Sequence, residues 1–197
     1  PEVTFGWSYK TNYLGAICAI MHEEGSVAEI VSRMEYEKAK ALGVPDHQII
    51  FNGPHKTREV LEPFVANGGQ VHIDHLDELD LIEAIARDLG RPISVGLRLD
   101  LDAGITPRWS RFGFNLESGD AFEAVRRMHA GGLVKLTGLH CHIGTYILDP
   151  TAYSRQIEKM VEFMGIVRDR FEFVCDYLDI GGGFASRSRL RGVYQSP

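Results

Sequence analysis

The residues best suited to chemistry recur at one end of successive short apolar runs. Lys10 follows the run Val3 to Tyr9, Glu29 lies on Ala28 to Ser32, and Asn52 ends Gln48 to Asn52. His72 and Asp74 stand on Gln70 to Asp74, Arg98 on Ile93 to Leu101, His140 and His142 on Val134 to Ile143, and Asp179 on Tyr177 to Gly181. A lone lysine is ordinarily a solvated charge, and a lone strand histidine is ordinarily a hydrogen-bonded core group. Polar groups at the same end of every strand point instead to a shared site. Directly after Leu178-Asp179-Ile180 comes Gly181-Gly182-Gly183. Three glycines let consecutive backbone N–H groups turn toward one point, a nest for an anion such as phosphate; the alternative is a plain hinge. His140-Cys141-His142 puts two imidazoles on one face of a strand. They suit half a metal site completed by His72, Asp74 or His75, a pair of satisfied core histidines, or one ring lying flat on a planar ligand.

These groups need elements to carry them, and two hydrophobic periods alternate along the chain. Between the seven strand-like runs lie helical stretches at Arg33 to Leu42, Lys56 to Asn67, Asp77 to Leu89, Ser118 to Ala130 and Tyr153 to Arg170. Gly43, Gly68-Gly69, Gly90 and Gly131-Gly132 stop the first four. Strand and helix in alternation predict parallel strands joined by right-handed crossovers. An open doubly wound sheet and a closed (β/α)8 barrel share that pattern, and side-chain parity selects the barrel. On the first strand Val3, Phe5, Trp7 and Tyr9 oppose Thr4, Gly6, Ser8 and Lys10; on the fifth, Ile93, Val95, Leu97 and Leu99 oppose Ser94, Gly96, Arg98 and Asp100. A barrel strand turns one face to its helices and the other into a narrow interior, where small residues ending in a polar one fit. Strands of an open sheet are covered on both sides and read as apolar at both parities. Barrel enzymes also build their sites at the carboxyl ends of the strands, with phosphate often bound after the last two.

Seven strands leave an eight-stranded barrel one short. Residues from Phe184 to Pro197 form a polar tail carrying Arg187, Arg189 and Arg191, so the chain reads as a piece of a longer protein. No internal boundary is visible. The 197 residues are 44% hydrophobic and 24% charged, a globular composition, and the net charge of −6 argues against nucleic-acid or membrane-surface partners. No apolar run approaches the roughly 20 residues of a membrane span, and no leader peptide is visible. Cys18, Cys141 and Cys175 are odd in number and widely spaced, which suits reduced thiols in a cytoplasmic protein.

Five motifs occur in an order that resembles the pyridoxal-phosphate decarboxylases, nearest the diaminopimelate decarboxylase group, with ornithine and arginine decarboxylases as relatives. They are Trp7-Ser8-Tyr9-Lys10-Thr11-Asn12, Phe51-Asn52-Gly53-Pro54-His55-Lys56, Ser110-Arg111-Phe112-Gly113, Gly138-Leu139-His140-Cys141-His142-Ile143-Gly144 and Leu178-Asp179-Ile180-Gly181-Gly182-Gly183-Phe184. The resemblance covers almost the whole chain. It implies an alanine-racemase-like barrel over residues 1–184, incomplete for want of the eighth strand, then a polar tail over 185–197, with the C-terminal β domain absent. It implies pyridoxal 5'-phosphate as cofactor, an amino-acid substrate and a homodimer in the full-length protein.

Carried over by position, Lys10 would hold the cofactor aldehyde as a Schiff base, best done by a lysine whose neutral amine is favoured by burial and nearby cations. His142 would lie against the pyridine ring, Arg98 near the phenolic oxygen or the Schiff base, and Glu29 would orient Lys10. Gly181, Gly182 and Gly183 would bind phosphate through backbone N–H groups, and Thr145 matches a position usually occupied by serine. His140 would support these from behind. The group that keeps the pyridine nitrogen protonated, the proton donor and much of the substrate pocket fall outside the chain, which implies little turnover by these 197 residues alone. Trp7 stands in place of the usual tyrosine, and Thr145-Tyr146 and Leu148-Asp149-Pro150 also depart from the diaminopimelate pattern. Those departures bear on the substrate. Two alternatives are a non-catalytic cofactor-binding barrel and a metal-dependent barrel hydrolase using His72, His140 and His142.

Overall fold

The computed structural model describes residues 2–185, and the tail from residue 186 lies outside them. The described residues gather into two compact units, residues 2–96 with 131–135, and residues 97–130 with 136–185.

The first unit is a run of βα turns: β1 (Gly6–Ser8), α1 (Gly15–Glu23), β2 (Val27–Ile30), α2 (Arg33–Ala41), β3 (Ile49–Phe51), α3 (Arg58–Ala66), β4 (Gln70–Ile73), α4 (Leu76–Leu89) and the start of β5 (Ile93–Asp100). These strands lie side by side in chain order, and the pairs β1–β2, β2–β3 and β3–β4 are parallel. The register sets Trp7 beside Ala28 and Ser8 beside Glu29, so each pair shares a face of the sheet. Local chemistry starts and stops the helices. Ser32 caps α2 by accepting the Glu35 N–H at 3.3 Å, while Glu35 reaches back to the Val31 N–H at 2.6 Å, a near relative of the capping box. α4 ends at Gly90 in the left-handed region.

The second unit holds the end of β5, β6 (Phe114–Asn115), α5 (Asp120–Gly131), β7 (Val134–Cys141), α6 (Pro150–Phe171) and β8 (Tyr177–Asp179), the first two residues of β7 and the last of α5 belonging to the first unit. β5, β7 and β8 are neighbours in that order, and β6 adds two residues to β5. α6 starts with Asp149 accepting the Thr151 N–H at 2.9 Å and with Pro150 in its first turn, where a missing N–H costs nothing.

All seven anticipated strands are present, each trimmed at one or both ends. The run Val3 to Tyr9 pairs only over Gly6–Ser8, and Val3 and Phe5 are 70% and 75% exposed rather than packed on helices. Two elements escaped the periodicity. α1 is apolar around its circumference, with Ile20 exposed and only Cys18 buried, so no polar stripe marks it as a helix. β6 is too short to show alternation. On β5 the polar parity is buried as well as the apolar one toward its carboxyl end: Arg98 is 6% and Asp100 8% exposed. Among the described residues no helix is long and apolar enough to cross a membrane.

Candidate functional site

In the first unit, β1 runs into a tight turn in which the Thr11 N–H and hydroxyl both donate to the Ser8 carbonyl, at 3.1 and 2.7 Å. That turn presents Lys10, exposed, just beyond the carboxyl end of the strand. The motif around it is tied to itself: the Trp7 indole donates to the Asn12 carbonyl at 3.0 Å, and Asn12 Oδ1 accepts the Leu14 N–H. Tyr9 points the other way and is fully buried, its hydroxyl 2.7 Å from His22 Nε2. His22 Nδ1 lies 2.8 Å from the Ser26 carbonyl, which can only accept, so Nδ1 carries the proton and the Tyr9 hydroxyl donates to Nε2. Burial pushes the Tyr9 phenol well above its ordinary range, keeping that donor protonated.

Glu29 accepts a hydrogen bond from the Ser8 hydroxyl through Oε2, the consequence of their shared register. Its Oε1 is buried and accepts no hydrogen bond among the described residues. Glu35 also belongs to this end of the unit; burial raises its pKa most, the charge of Glu29 raises it further, and the Lys10 ammonium draws it down. Asn52 and His72 are buried with Asn52 Oδ1 3.3 Å from His72 Nδ1, and Gln70 Nε2 lies 3.3 Å from His72 Nε2. Lys56, from the second motif, has a fully buried ammonium 2.8 and 2.9 Å from the two oxygens of Glu78. Glu78 Oε2 in turn accepts the Asp74 N–H at 2.8 Å, so the pair holds the chain where β4 ends.

In the second unit, the register of β7 and β8 sets His140 beside Asp179, and His140 Nδ1 lies 2.9 Å from Asp179 Oδ2. Asp179 uses its other oxygen to accept the Gly181 N–H at 2.8 Å. His142 is half-buried; its Nδ1 accepts the Gly182 N–H at 3.4 Å, and its ring meets Trp109 edge to face. Gly181 and Gly183 both have positive φ, +70° and +87°, and a Cβ on Gly183 would sit 1.9 Å from the Gly144 carbonyl oxygen. A Cβ on Gly182 would meet open space. Thr145 is exposed beside Gly144. Arg98 is held with its guanidinium 4.8 Å from the centre of the Phe112 ring, and Arg111 stacks on Trp109 at 5.2 Å, so the third motif gives one ring to Arg98 and one arginine to Trp109. Cys141, between the two histidines in sequence, has its thiol pushed up to about 12 by burial, with Arg98 opposing and three carboxylates adding to the rise. It stays a thiol at neutral pH.

Lys10 and Glu29 thus come together in one unit, and Arg98, His142, Thr145 and the glycine triplet in the other. Asp179 does more than sequence reasoning assigned it, since one carboxylate engages both His140 and the glycine loop. Tyr153 and Gln156, on α6, were missed: nothing in a helical pattern says that a glutamine faces inward at its middle.

The family described as "Pyridoxal-dependent decarboxylase, pyridoxal binding domain" matches residues 1–192. The diaminopimelate decarboxylase of Bacillus subtilis is 31% identical over 183 residues, 87% of this chain and 41% of the relative. That of Methanocaldococcus jannaschii is 30% identical over 191 residues, 92% of this chain and 43% of the relative. The crystal structure of the M. jannaschii enzyme with L-lysine superposes with a TM-score of 0.82 at 27% identity, covering 92% of this chain and 44% of that one. A structure from Aquifex aeolicus gives 0.83 at 28%, covering 96% and 45%. The chain therefore spans under half the length of these relatives, and its fold is that of their cofactor barrel, incomplete. Matched over residues 1–192 and sharing that fold, the chain belongs to the pyridoxal-dependent decarboxylases, as their pyridoxal-binding domain.

Proposed function

We propose that the chain is the cofactor-binding part of an enzyme that decarboxylates diaminopimelate or a related diamino acid, with pyridoxal 5'-phosphate attached at Lys10. The observation that carries this reading is the turn of residues 8–11, which presents an exposed lysine at a strand's carboxyl end in a chain matched to the family over residues 1–192.

The residues present suit the cofactor. Glu29 Oε1, a buried carboxylate oxygen without a hydrogen bond, is ready to hold an ammonium or iminium proton in the unit that carries Lys10. The Gly183 N–H has no partner among the described residues, and Gly182 borders open space, which leaves room for a phosphate. In this reading the Gly183 N–H and the Thr145 hydroxyl hold the phosphate, while the N–H groups of Gly181 and Gly182 are taken by Asp179 and His142 and shape the loop. His142 offers a ring face, fixed by its bond from the Gly182 N–H and by Trp109. Arg98, pinned on Phe112, offers a permanent positive charge to the cofactor's phenolic oxygen.

When bound, pyridoxal phosphate supplies the conjugated ring that takes up the electron pair left as carbon dioxide departs. The chain's part is to bind and orient. Lys10 would supply the amine that holds the cofactor's aldehyde. Diaminopimelate is favoured because the relatives bear that name and because L-lysine, found in the M. jannaschii structure, is what remains once diaminopimelate loses one carboxyl group. We also propose residues 1–184 as one barrel domain and a homodimer as the assembled state, readable by sedimentation.

The test adds pyridoxal phosphate to the protein and reads the visible band of the lysine-bound cofactor, then reduces with borohydride and maps the adduct. The band, an adduct on Lys10 and loss of both in Lys10→Ala are expected. Lys10 is exposed, so that substitution leaves the fold intact. An adduct on another lysine would overturn the assignment.

A further inference from the structure

The glycine loop is held from behind by α6. Gln156 is fully buried, and its Nε2 donates to the carbonyl of Cys141 at 2.7 Å and to that of Ile180 at 3.0 Å. These are the residues immediately before His142 and before Gly181. One amide therefore ties the end of β7 to the end of β8 at the point where each strand gives way to a cofactor-facing segment. The amide's orientation is dictated, because both neighbours are acceptors and only the nitrogen can face them. Its Oε1 is buried and has no hydrogen bond among the described residues, a cost that an apolar side chain would not carry. Three residues earlier, on the same face of the helix, the Tyr153 hydroxyl donates to the Gly182 carbonyl at 3.3 Å, and its ring stacks on Phe184 at 4.8 Å. A carbonyl pulled back toward α6 turns the peptide that contains it, so its N–H partner across the bond faces away from the helix. For the bond joining Gly182 to Gly183, that partner is the unclaimed Gly183 N–H.

The geometry points to Gln156 and Tyr153 as positioning residues for phosphate binding: α6 grips the carbonyls of the glycine loop and of the strand leading to His142, so that the Gly183 N–H faces the cofactor. This rests on the cofactor reading above. It assigns no contact between either side chain and the cofactor.

The experiment compares the affinities of the full chain for pyridoxal phosphate and for pyridoxal, which shares the aldehyde and ring but lacks the phosphate. Gln156→Met keeps the volume and removes both donors. Pyridoxal phosphate affinity is expected to fall roughly tenfold, the scale of losing donors to buried carbonyls, with pyridoxal affinity unchanged and the apo melting temperature lowered modestly. Tyr153→Phe, which removes one half-buried hydroxyl, is expected to reduce the same ratio about threefold, and it stands in if the Met variant does not fold. A role confined to packing would lower both affinities together or neither, and either result overturns the inference. A wild-type chain that takes up neither ligand would instead overturn the cofactor reading itself.

Discussion

Replacing Lys56 by methionine removes the cation from a pair of fully and almost fully buried side chains, 0% and 4% exposed, while leaving the carboxylate behind. At 2.8 Å and an effective dielectric near 20, the attraction removed is about 6 kcal/mol. Part of that is returned because the ammonium no longer needs to be dehydrated, and breaking a buried pair by taking one partner typically costs about 3–5 kcal/mol net. Glu78 is also the acceptor for the Asp74 N–H, so the loss is expected to loosen the end of β4 as well. Lys56→Met should therefore be destabilised by about 3–5 kcal/mol in urea unfolding at neutral pH. The double variant Lys56→Met/Glu78→Gln, which keeps an acceptor for Asp74 but carries no charge, should recover most of it, giving a coupling of roughly 2–3 kcal/mol. A pH arm follows from the sign of the shift. Burial holds the Glu78 pKa above the ordinary carboxylate value, with Lys56 drawing it down. Without Lys56 the folded value climbs further, so the folded state binds the proton more tightly than the unfolded one. Stability of the single variant should then rise as pH falls from that elevated folded value toward the ordinary carboxylate range, and level off below it. A loss under about 1 kcal/mol, or a double variant worse than the single one, would refute the reasoning.

Two further outcomes are expected. Gly183→Ala combines a φ of +87° with a Cβ 1.9 Å from the Gly144 carbonyl, so the loop must shift. It should cost about 1–3 kcal/mol in thermal or urea unfolding and weaken pyridoxal phosphate more than pyridoxal. Burial pushes the Cys141 thiol up to about 12 and the Cys175 thiol up to about 11, so neither ionises near neutral pH. Alkylation followed by mass spectrometry should find both slow in the native chain and fast after unfolding, with half-buried Cys175 reacting before Cys141.

Much of the scaffold could be read from local pattern, because strand and helix periods are properties of neighbouring residues. α4 shows this: Ile82, Ile85 and Ala86, spaced as one apolar face, are buried, and Gly90 ends it as the pattern says. α1 shows the limit, since a helix apolar on every side has no stripe to read. The first strand is another case. Alternation from Val3 onward looked like a continuous strand, yet pairing begins only at Gly6, because a strand lasts as long as its neighbour does.

The site divides along the same line. Sequence alone placed Lys10 at the end of one strand, the glycine triplet at the end of another, and the polar parity of β5 on the face opposite its apolar residues, since each follows from order and alternation along the chain. Tertiary structure decided which groups answer one another: Asp179 with His140 and Gly181, Gln156 with the carbonyls of Cys141 and Ile180, Lys56 with Glu78. Apart from Asp179 with Gly181, those partners lie 15 to 39 residues apart, and they meet only after register and helix docking are set. A hydrogen bond needs its atoms aligned within a few tenths of an ångström, which strand pairing and side-chain packing fix together and no local pattern can.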